Sequence, residues 1–394
     1  MAWSPYELDT RSFGKVMNYP FAGLDFLLDE DLNLVFIEAN AVPGGLFVMH
    51  HANRLIYELA PSLRHLLFRY NYMDLFVDMC YKYYLLMRNM PPTRAIVTTP
   101  LNGSPILIPE HMSLVRKFRQ RGVETYIVDR RQYHVRGNKL YVGIGSKVWV
   151  PDIIVRRNTM FPKNLGQVVV NMSEVGIITG SKYRTYRIVR NYKKKMGGKD
   201  TFRLPKSYFA RNLNEALSKA EEILENHDGV VIKPNKGEGG RDIVFIRKLS
   251  ELEEKARNLR KRESSTFIVQ EMINSYRLRL GREKYLFDIR VYAFLGNFIG
   301  CHIRLPKIPF GKGNIESWAI SNISRGGRYL PVFFDSSIYV VKWGSRRRTI
   351  PPFKKIIIDN HALCLDKRIL SDIIYATRLV VEAISQAVDI YKGG

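Results

Sequence analysis

The chain is expected to fold as an α/β (α+β) protein of several domains, and three observations lead there. From Arg94 onward, strand-like apolar runs alternate with helix-like ones, the pattern of helices laid on a sheet. Residues 229–245 set two short apolar runs around a turn holding Gly237, Gly239 and Gly240. Residues 21–40 read as two apolar strands joined by a polar turn, with acids on both. The length, 394 residues, accommodates two or three domains with substantial cores. A hydrophobic content of 46% and a charged content of 25% exclude wholesale disorder.

Residues 1–19 carry little pattern. In the hairpin that follows, Glu38 and Asn40 lie two apart on one strand and so project from the same face. With Asp25 across the hairpin they make an all-oxygen cluster of the kind magnesium takes alongside nucleotide phosphates. An edge hairpin with solvated acids has the same pattern. Residues 46–90 are aromatic-rich and amphipathic, with Ala60-Pro61-Ser62 marking a break between helices. They suit either a partner surface or core. His50, His51 and His65 read as helix-surface or core-edge residues rather than metal ligands.

Next come a strand at 95–99, a helix at 110–120, a strand at 123–128, a hairpin turning at Gly137-Asn138 and a strand at 148–155. This small α/β unit ends in Arg156-Arg157-Asn158, placed to meet an anion or equally content in solvent. A turn at 176–182 leads into a long basic helix running through Lys193, Lys194 and Lys195, then a strand at 204–209 and a helix at 212–225. Lys233 closes the apolar run 230–232, so its ammonium sits where that strand ends. The glycines after it allow backbone N–H groups to approach phosphate oxygens, because no Cβ holds them off. Lys233 adds a point charge to the same phosphates. The stretch lacks a P-loop, and a plain hairpin turn has the same composition. A charged helix at 249–262, strands at 266–273, 285–294 and 298–304, a flexible 321–327 and a helix at 369–387 complete the order.

Lysine and arginine total 62 against 37 acids, a net charge of +25. That excess favours an anionic partner such as nucleic acid, a ribosome, an acidic peptide or a phosphorylated small molecule. A generally basic proteome or a heat-adapted surface produces it too. Residues 183–195 interleave tyrosines with basic residues, the pattern of a single-strand-binding surface as well as of a solvated helix. The 3 cysteines lie far apart without C-x-x-C, against a disulfide framework or a zinc site. With no leader-like start and no apolar run near the ~18 residues of a membrane span, a soluble, cytoplasmic protein is expected.

VVIKPNKGEGG (230–240), FIVQEMI (267–273), FDIRVY (287–292) and SNISRGG (321–327), in that order, resemble the nucleotide-binding half of the ATP-grasp superfamily. The likeness is to the RimK-like glutamate ligases and lysine-biosynthesis ligases, with FDIRVY similar to tubulin–tyrosine ligase. In that superfamily the Ser-Asn-x-x-Arg-Gly-Gly segment is followed by a long helix, a Gly-x-Asp strand and a Glu-x-Asn strand. Here the helix is present at 369–387, while Gly23-Leu-Asp25 and Glu38-Ala-Asn40 stand at the front. The resemblance therefore implies a circularly permuted ATP-grasp fold, a rearrangement that adjacent termini permit. It covers residues 20–45 and 123–394 and leaves 46–90 aside. The implied division is a permuted β unit at 1–45 and a helical segment at 46–90. A pre-ATP-grasp domain at 91–180, a nucleotide lid at 181–273 and a catalytic core at 274–394 follow.

The resemblance also implies roles. Lys182 and Lys233 would contact ATP phosphates, with Lys206 a weaker substitute, and Gly237, Glu238, Gly239 and Gly240 would cover the triphosphate. The hinge Gln270, Glu271, Met272 and Ile273 would read adenine through its backbone, and Asp288 would meet the ribose or a nearby polar group. Arg290 and Arg325, with Asn322, would steady the γ-phosphate and the developing acylphosphate. Asp25, Glu38 and Asn40 would hold two Mg2+ ions, with Mn2+ as the alternative. One departure is Leu286, where tubulin–tyrosine ligase has a lysine. The implied activity is an ATP-dependent carboxylate–amine ligase working through an acylphosphate and releasing ADP and phosphate, on an acidic or phosphorylated small molecule or peptide. An ATP-grasp kinase acting on an alcohol and a basic RNA- or ribosome-binding protein are the alternatives.

Overall fold

The computed structural model describes residues 18–100, 108–157, 160–161, 165–197, 200–237, 242–252, 254–255, 266–323, 326–350 and 353–393. Strands β1 (Phe21–Leu28) and β2 (Leu34–Asn40) form the expected hairpin. Its turn is closed by Asp29, whose carboxylate accepts from the backbone N–H of Asp31 and Asn33. Helix α1 (Leu46–Leu59) begins at Gly45, which has φ 100°; Tyr292 and Tyr329 hydroxyls lie 2.8 and 3.0 Å from where its Cβ would be. Glycine is required there on both counts. Residues Pro61–Leu66 form a 3-10 turn rather than more α-helix, and α2 (Tyr72–Arg88) follows.

These helices are core. One face of α1, with Val48, Ala52 and Ile56, packs on Phe333, Ile358 and Cys364. Phe76 of α2 meets Phe21 edge-on at 4.5 Å, and Tyr83 meets Phe294 at 6.3 Å. The aromatic side of 46–90 is thus covered by the protein itself. His50 is buried, His51 half-buried and His65 exposed, and no group of three or more His, Cys, Asp or Glu forms a metal cluster among the described residues.

The α/β unit consists of β3 (Arg94–Thr98), α3 (Ile108–Arg119), β4 (Glu124–Val128), β5 (Ile153–Val155) and β6 (Val168–Val170), in the parallel order β4-β3-β5-β6. The single strand expected at 148–155 is two. Lys147–Trp149 pairs with Lys139–Ile144 in a separate hairpin sheet, and β5 pairs with β3. Pro151 lies between them and has no N–H to continue a ladder. This unit is bolted to α1: the buried Glu110 carboxylate accepts from the N–H groups of Gly45 and Phe47, each at 3.2 Å, and pairs with Arg157. Arg157 also donates to the Pro43 carbonyl at 3.0 Å. Its guanidinium is therefore engaged inside the fold and does not face a substrate; Asn158 lies outside the described residues.

Helices α4 (Ser173–Thr179) and α5 (Lys182–Met196) lead to a separate four-stranded sheet. There β7 (Ser207–Ala210), α6 (Leu213–Leu224), β8 (Val230–Pro234), β9 (Val244–Ile246) and β10 (Phe267–Glu271) form an antiparallel sheet ordered β7-β10-β8-β9, with its own core. The strand expected from Leu204 starts only at Ser207, after Pro205. The helix expected at 249–262 lies largely outside the described residues.

The rest of the chain builds the central sheet from β11 (Asp288–Phe294), β12 (Asn297–Leu305), β13 (Arg328–Asp335), β14 (Phe353–Ile358) and β15 (His361–Asp366), backed by α7 (Lys367–Gly393). The hairpin from the front of the chain belongs to this sheet, since β1 pairs antiparallel with β11 in the order β2-β1-β11-β12-β13. Ile369, Ile373, Ala376, Val380 and Ile384 of α7 recur at helical spacing and are buried against it. No helix among the described residues is long and apolar enough to cross a membrane.

Candidate functional site

A cleft of about 1480 Å³ is lined by residues of the four-stranded β7-β10-β8-β9 sheet, the central sheet and the α4–α5 turn. Strand register determines which side chains meet on its floor. Glu38 of β2 lies opposite Asp25 of β1, Asp25 opposite Arg290 of β11, and Arg290 opposite His302 of β12. Two residues along, Asp288 lies opposite Arg304. Because alternate residues share a face, these groups form one polar and charged row on the cleft side of the sheet.

The row is tightly paired. Arg290 donates from two nitrogens to both oxygens of Asp25, the longer contact at 2.8 Å, and Arg304 reaches the same carboxylate at 2.9 Å. Arg304 also donates to Asp288 at 2.6 Å, and Asp288 accepts from the Ser321 hydroxyl. Burial acts to raise the Asp25 carboxyl, but the two guanidiniums outweigh it and bring it down to about 2. Burial opposes the charge on Arg304 as well, yet Asp25 and Asp288 hold its guanidinium well above the usual range. Asp25, expected to hold metal, is thus paired with two arginines, and the guanidinium of Arg290 is engaged on Asp25. Asp288 is likewise engaged, by Arg304 and Ser321.

Glu38 and Asn40 are less engaged. Glu38 is half-buried, with Lys182 at 3.8 Å, and the amide nitrogen of Asn40 is buried without a hydrogen-bond partner among the described residues. Lys182 is the first residue of α5, where Ser181 caps the helix and Asn235 accepts from the Ser181 hydroxyl and the Tyr183 N–H. Its ammonium donates to the Gly237 carbonyl at 2.7 Å. Lys233, at the end of β8, donates to Gln270 at 2.7 Å, and Gln270 in turn donates to Ser207 at 2.8 Å. Burial, and then the neighbouring Lys182, pull the Lys233 ammonium down to about 8, with Glu38 opposing. Two cations thus converge where one carboxylate sits, an arrangement that favours the arrival of further negative charge.

The hinge residues Gln270, Glu271, Met272 and Ile273 line the cleft. The Glu271 carboxylate is engaged by Arg203 at 2.6 Å and His227 at 3.0 Å. The Glu271 and Met272 N–H groups already donate to Lys206 and Gly229 carbonyls. Lys206 itself departs from expectation: it is exposed, does not line the cleft, and its ammonium lies 5.6 Å from the Tyr208 ring centre. Alternation is the cause, because Ser207 faces Gln270 while Lys206 and Tyr208 share the other face, toward α6. Asn322 lines the cleft. Glu238, Gly239, Gly240 and Arg325 lie outside the described residues.

Sequence reading passed over Arg304 and His302. Their signal was present as Cys301-His302-Ile303-Arg304-Leu305, two polar residues on one face of an apolar strand. His302 is buried, and burial followed by Arg304 and Arg290 holds its imidazole well below the usual range. Arg156, also on the cleft wall, donates to the Asn171 carbonyl, and burial brings it down to about 10.

The mixed α/β fold, with a four-stranded sheet and a central sheet around the cleft, is ATP-grasp-like. Residues 162–301 match the model of the tubulin-tyrosine ligase family. The solved structure of a candidate gamma-glutamylcysteine synthetase from Methylobacillus flagellatus KT is similar over 98% of this chain and 92% of that one, at 13% identity and a TM-score of 0.59. A glutathione synthetase-like effector from Globodera pallida covers 73% and 68%, at 10% identity and 0.48. A RimK domain ATP-grasp protein from Sphaerobacter thermophilus covers 74% and 99%, at 12% identity and 0.37. Among curated proteins none matches the chain.

Proposed function

We propose that the chain is an ATP-dependent carboxylate–amine ligase, and the observation that carries this is the convergence of Lys182 and Lys233 on Glu38 at the cleft. Two ammoniums, one already held down by burial and then by the other, are stabilised when a polyphosphate lies between them. The helix start at Lys182 adds its partial positive charge to the same place. The adenine ring then falls beside Gln270 to Ile273, with Ile273 as the backbone donor, since the preceding two N–H groups are occupied.

Glu38 and Asn40 fit a Mg2+ site: one carboxylate and one amide oxygen on the same strand face, beside the phosphate-binding lysines. Magnesium characteristically keeps only one or two carboxylates and takes the rest from phosphate and water. Asp25, held by Arg290 and Arg304, orients that floor rather than completing a three-ligand cage. Bound there, the ion would neutralise charge on the phosphate oxygens. The substrate carboxylate attacks the γ-phosphorus and ADP leaves, giving an acylphosphate. An amine nitrogen then attacks the acyl carbon, phosphate leaves, and the amine's proton passes to solvent. The protein's part is positioning and charge stabilisation by Lys182, Lys233 and Arg290.

On this reading the hairpin β1–β2 is the superfamily's last unit carried ahead of the others, a circular permutation. Its pairing with β11 supports that, as does Asn18, which donates to Ser385 at 3.3 Å and Asp389 at 2.6 Å on α7. A link at that contact would restore the unpermuted order.

The test is the fate of the γ-phosphate from labelled ATP with Mg2+ and fractionated metabolites, with Glu38→Gln as control. Glu38-dependent release of ADP and free phosphate with a new amide supports the ligase. Label retained on an alcohol makes the protein a kinase, and absence of Glu38-dependent turnover removes the enzyme reading.

A further inference from the structure

Behind the wall formed by Gly176, Ile177 and Gly180, which the main cleft shares, lies a second cavity of about 550 Å³. Its floor is apolar and aromatic, with Tyr183 and Phe209 rings 5.3 Å apart, and its rim carries Arg184, Arg187 and Lys236. Among the described residues no acidic one lines it. The cavity opens onto the outer face of α5, whose sequence KYRTYRIVRNYKKKM contains no acid. Arg187, Arg190 and Lys194 follow one another at spacings of three and four and are exposed, so they form a single stripe. Among the described residues none of Arg184, Arg187, Arg190 or Lys194 is in an ion pair, although Lys193 on the same helix finds Asp200 at 2.5 Å.

An enzyme that needs only ATP has no use for these charges, because the nucleotide cleft has its own lysines on the opposite side of the wall. A stripe of cations tracks a polyanionic backbone, and an aromatic pocket beside it offers a face for a planar ring. An acidic peptide satisfies the stripe but leaves the pocket without a counterpart; a nucleic-acid strand satisfies both. We infer that the outer face of α5 binds single-stranded nucleic acid, its phosphates on Arg187, Arg190 and Lys194 and one base in the Tyr183–Phe209 pocket. The strand so placed lies one wall away from the main cleft. This goes beyond the ligase reading and does not depend on it.

The experiment measures fluorescence anisotropy of a labelled single-stranded RNA oligomer with the full chain, at a series of salt concentrations and with an excess of ATP and Mg2+ throughout. Three phosphate contacts predict a slope of log affinity against log salt of about −2. Arg187→Glu with Arg190→Glu should weaken RNA binding at least tenfold. Tyr183→Leu should weaken it by about tenfold through lost stacking, while leaving the affinity for poly-glutamate unchanged. No binding at low salt, binding indifferent to the arginine pair, or an identical response of RNA and poly-glutamate to Tyr183→Leu would overturn the inference. The γ-phosphate assay on the arginine variant is read separately, so loss of RNA binding and failure of the ligase reading are distinguishable.

Discussion

Arg304 stands between Asp25 and Asp288 and shares the first of them with Arg290. Removing one partner of a buried ion pair leaves the other charge desolvated and uncompensated. Arg304→Met is therefore expected to lower stability by about 3 kcal/mol, seen as a reduced urea midpoint at unchanged slope. The same clamp has an acid signature. Asp25 is held at about 2 against an ordinary 3.8, so the stability it contributes is complete above about pH 4 and is lost as pH falls through 2. Lys233 titrates in the opposite sense. With its ammonium brought down to about 8, the free protein loses the proton above that pH, while bound polyphosphate favours keeping it. ATP affinity should be flat below pH 8 and fall by up to tenfold per unit above it. Calorimetric titration across pH 7 to 9.5 checks this, and Lys233→Met should both weaken binding and abolish the slope.

At the scale of elements, a close approach between strand and ring holds the helices 46–88 on the sheet. Gly300 on β12 lies against the Tyr72 ring of α2, with 2.4 Å to the nearest ring atom from where a Cβ would stand. Gly300→Ala should cost about 1–3 kcal/mol in thermal or urea unfolding, because the ring and strand must separate. Tyr72→Leu in the same chain should recover part of that loss, a non-additivity expected of residues in contact. The hairpin and the helices were legible in sequence because their periods, two and about 3.6, are written in consecutive residues. The break of 148–155 into two strands was not, since the choice of partner sheet depends on Lys139–Ile144 and β3 rather than on the run itself. Lys206 illustrates the same limit. Its type suited a phosphate contact, but one residue of register turns it toward α6.

For the whole molecule, the position of 46–90 decides what can be removed. Phe76 and Tyr83 share a core with Phe21 and Phe294, and α1 covers the other end of the sheet. Deleting 46–90 should therefore abolish cooperative unfolding rather than release a folded, trimmed monomer, as near-UV circular dichroism would show. The α/β unit is joined to that segment by Glu110 and Arg157, so it too is held through the helices. Asn171 adds a second joint, accepting from the Phe21 N–H at 2.9 Å.

By itself, the sequence determined the ATP-grasp-like fold and picked out several residues that line the cleft. Lys182, Lys233, the hinge 270–273, Glu38 and Asn40 lie within short motifs whose residue types suit phosphate, purine and magnesium. Their order along the chain, with the acidic hairpin placed first, was readable too. Tertiary structure alone decided the partners. Asp25 is clamped by Arg290 and Arg304, residues some 265 and 279 positions away, because strand pairing brings β1 against β11 and β11 against β12. Arg157 is engaged inward, Lys206 turned outward, and the helices 46–88 became core for the same reason. Residue type says what a side chain can bind, but which groups it meets is settled by register and packing between segments distant in the chain.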